Sequence, residues 1–276
     1  MTGKKGAMEM TEVADMGLRA GLRVLVTAGA SGIGRVIAES FADRGGRVHV
    51  CDVSEEALEN CRAERSDIGA SLCDVADEAA VDRLFERVEV ELGGLDVLVA
   101  NAGIAGPTAG IHEITPDDWR RTVEVNLNGQ YYCARRAVPL LKAKGAGGGL
   151  GGAMIHLASV AGRLGFAYRT PYAATKWAVV GLVKSLAIEL GPDGIRVNAL
   201  LPGIVEGPRI ERVIGARAET LGISYEEMER DLLNKVSLRR MVSAQDVANM
   251  AIYLCSPLGR NISGQALSIC GNVETI

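Results

Sequence analysis

Tyr172 and Lys176 stand four residues apart, a spacing that sets a phenol and an ammonium side by side on one face of a helix. Ser159 lies thirteen residues before the tyrosine, so a hydroxyl can converge on the same oxygen. A free phenol titrates near pH ~10 and exchanges protons poorly at neutrality unless a nearby cation stabilises the phenolate. Lys176 can be that cation. The chemistry such a trio could do is proton transfer to or from a substrate oxygen. The spacing alone also fits an ordinary half-buried helix face, so the surrounding elements decide its meaning.

Seven short apolar runs, most of them with β-branched residues, cross the chain, at 22–27, 47–51, 69–73, 95–99, 153–158, 195–201 and 266–270. Between most of them lie segments of helical period, among them 34–44, 77–92, 117–142 and 172–191. Alternating strand and helix predicts an α/β fold, a Rossmann-type doubly wound parallel sheet of about seven strands covered on both faces. Ligands of such sheets bind beyond the carboxyl ends of the strands. With 276 residues, 48% hydrophobic, the chain can bury one large core, and a single domain over 21–276 is expected. Residues 1–20 are polar and Met-rich and read as a flexible extension. Gly145–Gly152 reads as a flexible loop before the fifth strand, and 207–240, with amphipathic stretches at 210–221 and 225–235, as a helical lid over the substrate.

Net charge is −4 and Lys/Arg residues do not cluster, so neither nucleic acid nor an anionic membrane is expected as a partner. No stretch approaches the ~18 apolar residues of a membrane span, and the N-terminus lacks a signal-peptide core. The six cysteines (51, 61, 73, 133, 255 and 270) show no C-x-x-C pairing and read as buried thiols in a reducing cytosol, with no metal site. A soluble small molecule in the cytoplasm is the expected ligand.

The first strand runs through Thr27-Ala28-Gly29-Ala30-Ser31-Gly32-Ile33-Gly34 into a helix. Glycines at 29, 32 and 34 allow a tight turn, bring Ser31, Gly32 and Ile33 N–H groups close to a pyrophosphate, and let the helix pack on the sheet. Asp52 ends the second strand, where a carboxylate can accept from ribose hydroxyls and would repel a 2′-phosphate, which favours NAD over NADP. Asp74 and Val75 end the third strand, where an Asp could bind the adenine amino group. Asn101, Ala102 and Gly103 end the fourth, where small residues let the cofactor's ribose approach the backbone.

Together these motifs resemble the short-chain dehydrogenase/reductase family over about residues 20–272. The matching pieces are the turn at 27–34, Asn101-Ala102-Gly103, Asn126 in Val125-Asn126-Leu127-Asn128-Gly129, Ser159 in Ala158-Ser159-Val160-Ala161-Gly162, Tyr172-x-x-x-Lys176, and Pro202-Gly203. The resemblance implies that Tyr172 is the general acid/base, that Ser159 hydrogen-bonds the substrate oxygen, and that Lys176 lowers the tyrosine pKa and holds the nicotinamide ribose. It further implies that Asn126 anchors a proton-relay water and that Pro202, Gly203 and Ile204 line the cofactor. Hydride transfer belongs to the cofactor, so the protein need only orient the carbinol and manage one proton. The family also implies a homotetramer, built through 117–142, 172–191 and the last strand.

Three positions depart from the family: Ala28 replaces its first glycine, Ala100 the first of two asparagines, and Gly207 a Thr that contacts the carboxamide. The 207–240 segment resembles the lid of 3-hydroxybutyrate dehydrogenases, but the carboxylate ligands of those enzymes are replaced here by Ala105, Ala161 and Arg169. Arg169 is the residual candidate for binding an acid. Leu164, Phe166, Tyr168 and Trp177 suit an apolar or cyclic alcohol equally well. The expected activity is NAD-dependent oxidation of a secondary alcohol, or reduction of the ketone. The alternatives are 3-oxoacyl-thioester reduction and a non-catalytic NAD-binding sensor or structural subunit.

Overall fold

All seven apolar runs become strands of one parallel sheet in the computed structural model, which describes residues 16–145 and 151–273. Residues 1–15 of the expected extension and 146–150 of the glycine loop lie outside them. The strands are β1 Arg23–Thr27, β2 Arg47–Asp52, β3 Gly69–Leu72, β4 Val97–Ala100, β5 Ala153–Leu157, β6 Arg196–Pro202 and β7 Ala266–Ile269, in the order β3-β2-β1-β4-β5-β6-β7. The chain winds outward from β1 to β3 and then crosses to the other side of β1. The direction of winding therefore switches between β1 and β4, which opens a crevice at their carboxyl ends.

Side chains alternate between the two faces. Leu25, Leu98 and Met154 face a layer formed by α3 (Glu78–Leu92), α5 (Gly129–Gly145) and α6 (Thr170–Leu190). Val24, Val26, Val50 and Ile155 face α1 (Gly32–Ala42), α2 (Glu55–Glu64) and α9 (Ala244–Cys255). Phe41, Phe85, Ile37 and Leu58 are fully buried between sheet and helices, each worth about 1.5–3 kcal/mol relative to exposure. Five cysteines are buried thiols and Cys270 is partly buried. Among the described residues no helix is long and apolar enough to cross a membrane.

The expected helix over 117–142 forms, with one irregular turn inside it. α4 (Pro116–Val123) passes into one π-helical turn, Glu124–Asn128, before α5 begins. The 207–240 segment forms α7 (Pro208–Leu221) and α8 (Tyr225–Leu233), which share a small core of Ile214, Ala218 and Met228. Ser224 caps α8 by accepting from Glu227 N at 3.1 Å. Gly207, at φ 134°, begins α7 in a conformation that only glycine adopts easily, so a Thr there would be strained.

Candidate active site

The turn after β1 is locked to the end of β4. Thr27, buried at the strand end, accepts from Asn101 N and Ala102 N through Oγ1, both at 3.0 Å. The Asn101 amide donates back to Thr27 O and Ala28 O, also at 3.0 Å. A Cβ on Gly34 would lie 2.2 Å from Ala28 O, and one on Gly29 would lie 2.7 Å from Val50 Cγ1, so both glycines are required by close approach. Ser31 precedes α1 in extended conformation and makes no side-chain cap, which leaves the first N–H groups of that helix without a side-chain acceptor. Ala28 itself sits at φ 48°, in the left-handed region.

Asp52 joins this turn to β2. Its carboxylate accepts from Ser54 N at 3.2 Å and from Ala30 N at 3.4 Å, and the residue is buried. In the preceding residue, a hydrogen bond to Cys73 and complete burial push the Cys51 thiol well up. Asp74 is placed at the end of β3 as expected, yet both its oxygens already have partners. One accepts from Ala76 N at 3.0 Å and the other pairs with Arg121 at 2.9 Å. Val75 is buried against the first turn of α5, where a Cβ on Gly129 would meet its Cγ2 at 2.7 Å.

Asn126 lies within the π turn and is wholly buried. Its Oδ1 accepts from Ile104 N at 2.7 Å, and its Nδ2 donates to Ile104 O at 3.0 Å and Thr175 Oγ1 at 3.2 Å. One side chain thereby ties the segment after Asn101-Ala102-Gly103 to α6. A π turn re-aims one helical side chain, and such turns recur at functional sites.

Lys176 is buried, and its Nζ donates to Leu157 O at 2.8 Å. It lies 5.6 Å from the centre of the Tyr172 ring, so the helical spacing does bring cation and phenol together. A Cβ on Gly103 would lie 3.3 Å from both Lys176 Nζ and Asn126 Oδ1. The turn that begins at Ser159 presses on the same helix, since a Cβ on Gly162 would come within 2.7 Å of Lys176 O. Ser159 Oγ accepts from Ala161 N at 3.2 Å, which caps that turn and leaves the hydroxyl proton to donate elsewhere.

Arg169 stacks 5.0 Å from the Tyr172 ring centre and 5.1 Å from that of Phe166, and donates to Ala105 O at 2.8 Å. Phe166 meets Tyr172 edge-on at 6.4 Å. Trp177 is half exposed, its indole 3.5 Å from Leu164 O. Gly203 N donates to Ile269 O at 2.9 Å, and Ile204 O accepts from Val242 N at 2.8 Å, so Pro202, Gly203 and Ile204 join β6 to β7 and to the segment that follows α8. Thr27, absent from the sequence-based candidates, is the residue on which the β1 and β4 ends converge. Its only sequence signal is a hydroxyl that follows the apolar run Val24-Leu25-Val26.

Over residues 27–272 the chain matches a family model described as Enoyl-(Acyl carrier protein) reductase. It is 34% identical to cis-4-hydroxycyclohexanecarboxylate dehydrogenase of Sinomonas cyclohexanicum, over 91% of this chain and 96% of that protein. A solved actinorhodin polyketide ketoreductase with NADPH superposes with a TM-score of 0.85 at 33% identity, covering 92% of this chain and 97% of that one. NAD+-bound xylitol dehydrogenase superposes equally well, at 0.85 and 26% identity over 92% and 99% of the two chains.

Proposed function

The chain belongs to the short-chain dehydrogenase/reductase family, and we propose that it oxidises a secondary alcohol to a ketone with NAD, or runs that step in reverse. The observation that carries this reading is Lys176 Nζ at 5.6 Å from the Tyr172 ring, on a helix that Asn126 and the Gly162 turn hold against the ends of β4 and β5. Tyr172 takes the carbinol proton during oxidation and returns it during reduction. Lys176 supplies the charge that favours the phenolate, and Ser159 donates its hydroxyl proton to the substrate oxygen. Asn126 holds α6 and the Ile104 backbone in register.

The cradle of Gly29, Gly34 and the uncapped start of α1 fits the pyrophosphate of a dinucleotide. Ser31, Gly32, Ile33, Val75, Asn101, Ala102, Gly103, Lys176, Pro202, Gly203 and Ile204 complete the proposed cofactor site, and the bound nicotinamide supplies the hydride chemistry. Asp52 would accept from the adenosine ribose, which is why NAD is preferred here to NADP. Asp74, already paired with Arg121, would reach adenine only by sharing an oxygen. Arg169 walls the substrate side beside Tyr172, and α7 and α8 form the lid.

Half-exposed Trp119 and Tyr131 on α4 and α5, and Ile188 on α6, suit the proposed homotetramer. A cytoplasmic location goes with this reading.

A screen of NAD reduction over hydroxy acids, polyols, cyclic alcohols and sterols tests the activity, with Tyr172→Phe as the control. Turnover should fall by about two to four orders of magnitude in that variant, while NADH still binds. Full activity would remove Tyr172 from the mechanism. Reduction of 3-oxoacyl thioesters is the second reading, favoured by the similarity to a polyketide ketoreductase, and preferential use of NADPH would support it. A non-catalytic NAD-binding sensor has no need of the phenol and would be untouched by Tyr172→Phe.

A further inference from the structure

At the carboxyl end of β5 the sheet ladder gives out. β4 turns away after Ala100, and Asn101 and Ala102 donate their N–H groups to Thr27 Oγ1. The carbonyl of Leu157 is served instead by two side chains, Lys176 Nζ at 2.8 Å and Gln130 Nε2 at 3.2 Å. Gln130 is held in turn by His156, whose Nδ1 lies 2.8 Å from Gln130 Oε1. All three side chains are buried, with His156 at 0%, Gln130 at 1% and Lys176 at 4% exposure.

The protonation pattern follows from the bonds. Because Gln130 spends its amide N–H on Leu157, its oxygen remains as acceptor and His156 Nδ1 must carry the proton. His156 Nε2 then has no hydrogen, and it is the ring nitrogen left buried with no hydrogen-bond partner. Burial pushes the His156 pKa down to about 4, so the imidazole stays neutral and this pattern holds across neutral pH. Proton transfer at Tyr172 has no use for a buried imidazole.

We propose that Gln130 and His156 are positioning residues that fix the Leu157 carbonyl and, through it, the place of the Lys176 ammonium beside Tyr172. This inference rests on the reading of Tyr172 and Lys176 as the acid/base pair. A strand-end carbonyl with one mobile cation on it can swing. A second donor, itself held by a buried histidine, pins the peptide plane, and that plane leads in two residues to Ser159. The pair would thus set both the cation that tunes the phenol and the hydroxyl that meets the substrate oxygen.

The test reads the ionisation of Tyr172 in the cofactor-free protein, by phenolate absorbance with Tyr172→Phe as the blank. Lys176 and Arg169 are the cations at its ring, and Arg169 is untouched by the variants used. Gln130→Met removes the donor at nearly constant volume. The double variant Gln130→Met/His156→Phe also removes the imidazole N–H that the first would strand, and so protects the fold.

Both should raise the Tyr172 midpoint by about half a pH unit, roughly threefold in ionisation ratio, as expected for a cation drifting away by ~1.5 Å. Both should also lower the rate of alcohol oxidation at neutral pH while leaving NADH affinity within about twofold. A lowered melting temperature with an unmoved Tyr172 midpoint would overturn the proposal, and failure of both variants to fold would make the pair a packing element and overturn it equally. Lys176→Met separates the two levels. If it shifts the midpoint and the Gln130 variants do not, the positioning role alone fails; if it shifts nothing, the acid/base reading fails.

Discussion

The Arg169 guanidinium lies 5.0 Å from the centre of the Tyr172 ring, nearer than Lys176 Nζ at 5.6 Å. The arginine is also committed to Ala105 O and to the face of Phe166. A cation stacked on the phenol and bonded to the backbone serves every substrate alike. Arg169→Gln should therefore lower kcat/KM by about twofold to fivefold, the worth of a cation–π contact at a partly exposed arginine, for hydroxy acids and neutral alcohols equally. Steady-state kinetics on one acid and one neutral substrate check this. A KM that rises for the acid alone would make Arg169 a carboxylate ligand instead.

Asp52 accepts from Ser54 N and Ala30 N, so its carboxylate is held at the end of β2 beside the glycine turn. Its repulsion of a 2′-phosphate is the basis for preferring NAD. Asp52→Ala should cut the ratio of kcat/KM for NAD over NADP by at least about tenfold, the scale of one charge-assisted hydrogen bond. An unchanged ratio would remove Asp52 from cofactor selection.

The parts of this architecture legible in the chain are those governed by local pattern. Short apolar runs recur with helical segments between them, and each run became a strand in the parallel sheet. The Tyr172/Lys176 spacing needed only helical geometry to be realised. What was not legible depends on partners distant in sequence. The side-chain bonds of Asn126 in the π turn reach Ile104 and Thr175, 22 and 49 residues away, and local pattern does not encode partners at that distance. Asp74 was legible as an acid at a strand end, but its ion pair with Arg121 spans 47 residues. Thr27 and Gln130 take their roles from carbonyls and N–H groups exposed only once β4 and β5 end side by side.

Ala28 occupies the family's first glycine position and adopts φ 48°, where a Cβ is strained by about 1–2 kcal/mol. Its methyl packs partly against the core, which offsets some of that strain. Ala28→Gly should thus stabilise the protein by about 1 kcal/mol, or raise Tm by about 2–4 °C for a chain of this size. Thermal unfolding of the two proteins decides it, and a lowered Tm would mean that the turn tolerates the methyl without strain.

His156 makes acid a specific threat to the fold. Its proton affinity falls from 6.5 in a model peptide to about 4 in the folded protein, because burial penalises the imidazolium. The unfolded chain therefore binds the proton first as pH drops. Stability from this group is fully present above pH ~6.5 and is lost progressively as pH falls toward 4, by about 2 kcal/mol between pH 7 and pH 5 and about 3 kcal/mol in all. Buried His49, also lowered by burial but opposed by Glu91, adds a slope that is common to both proteins in the comparison. Urea unfolding of the wild type and His156→Phe across this range should show the wild type losing about 2 kcal/mol more than the variant by pH 5. Parallel curves would mean that the folded protein protonates His156 as readily as the unfolded chain does, and that burial does not hold the imidazole neutral.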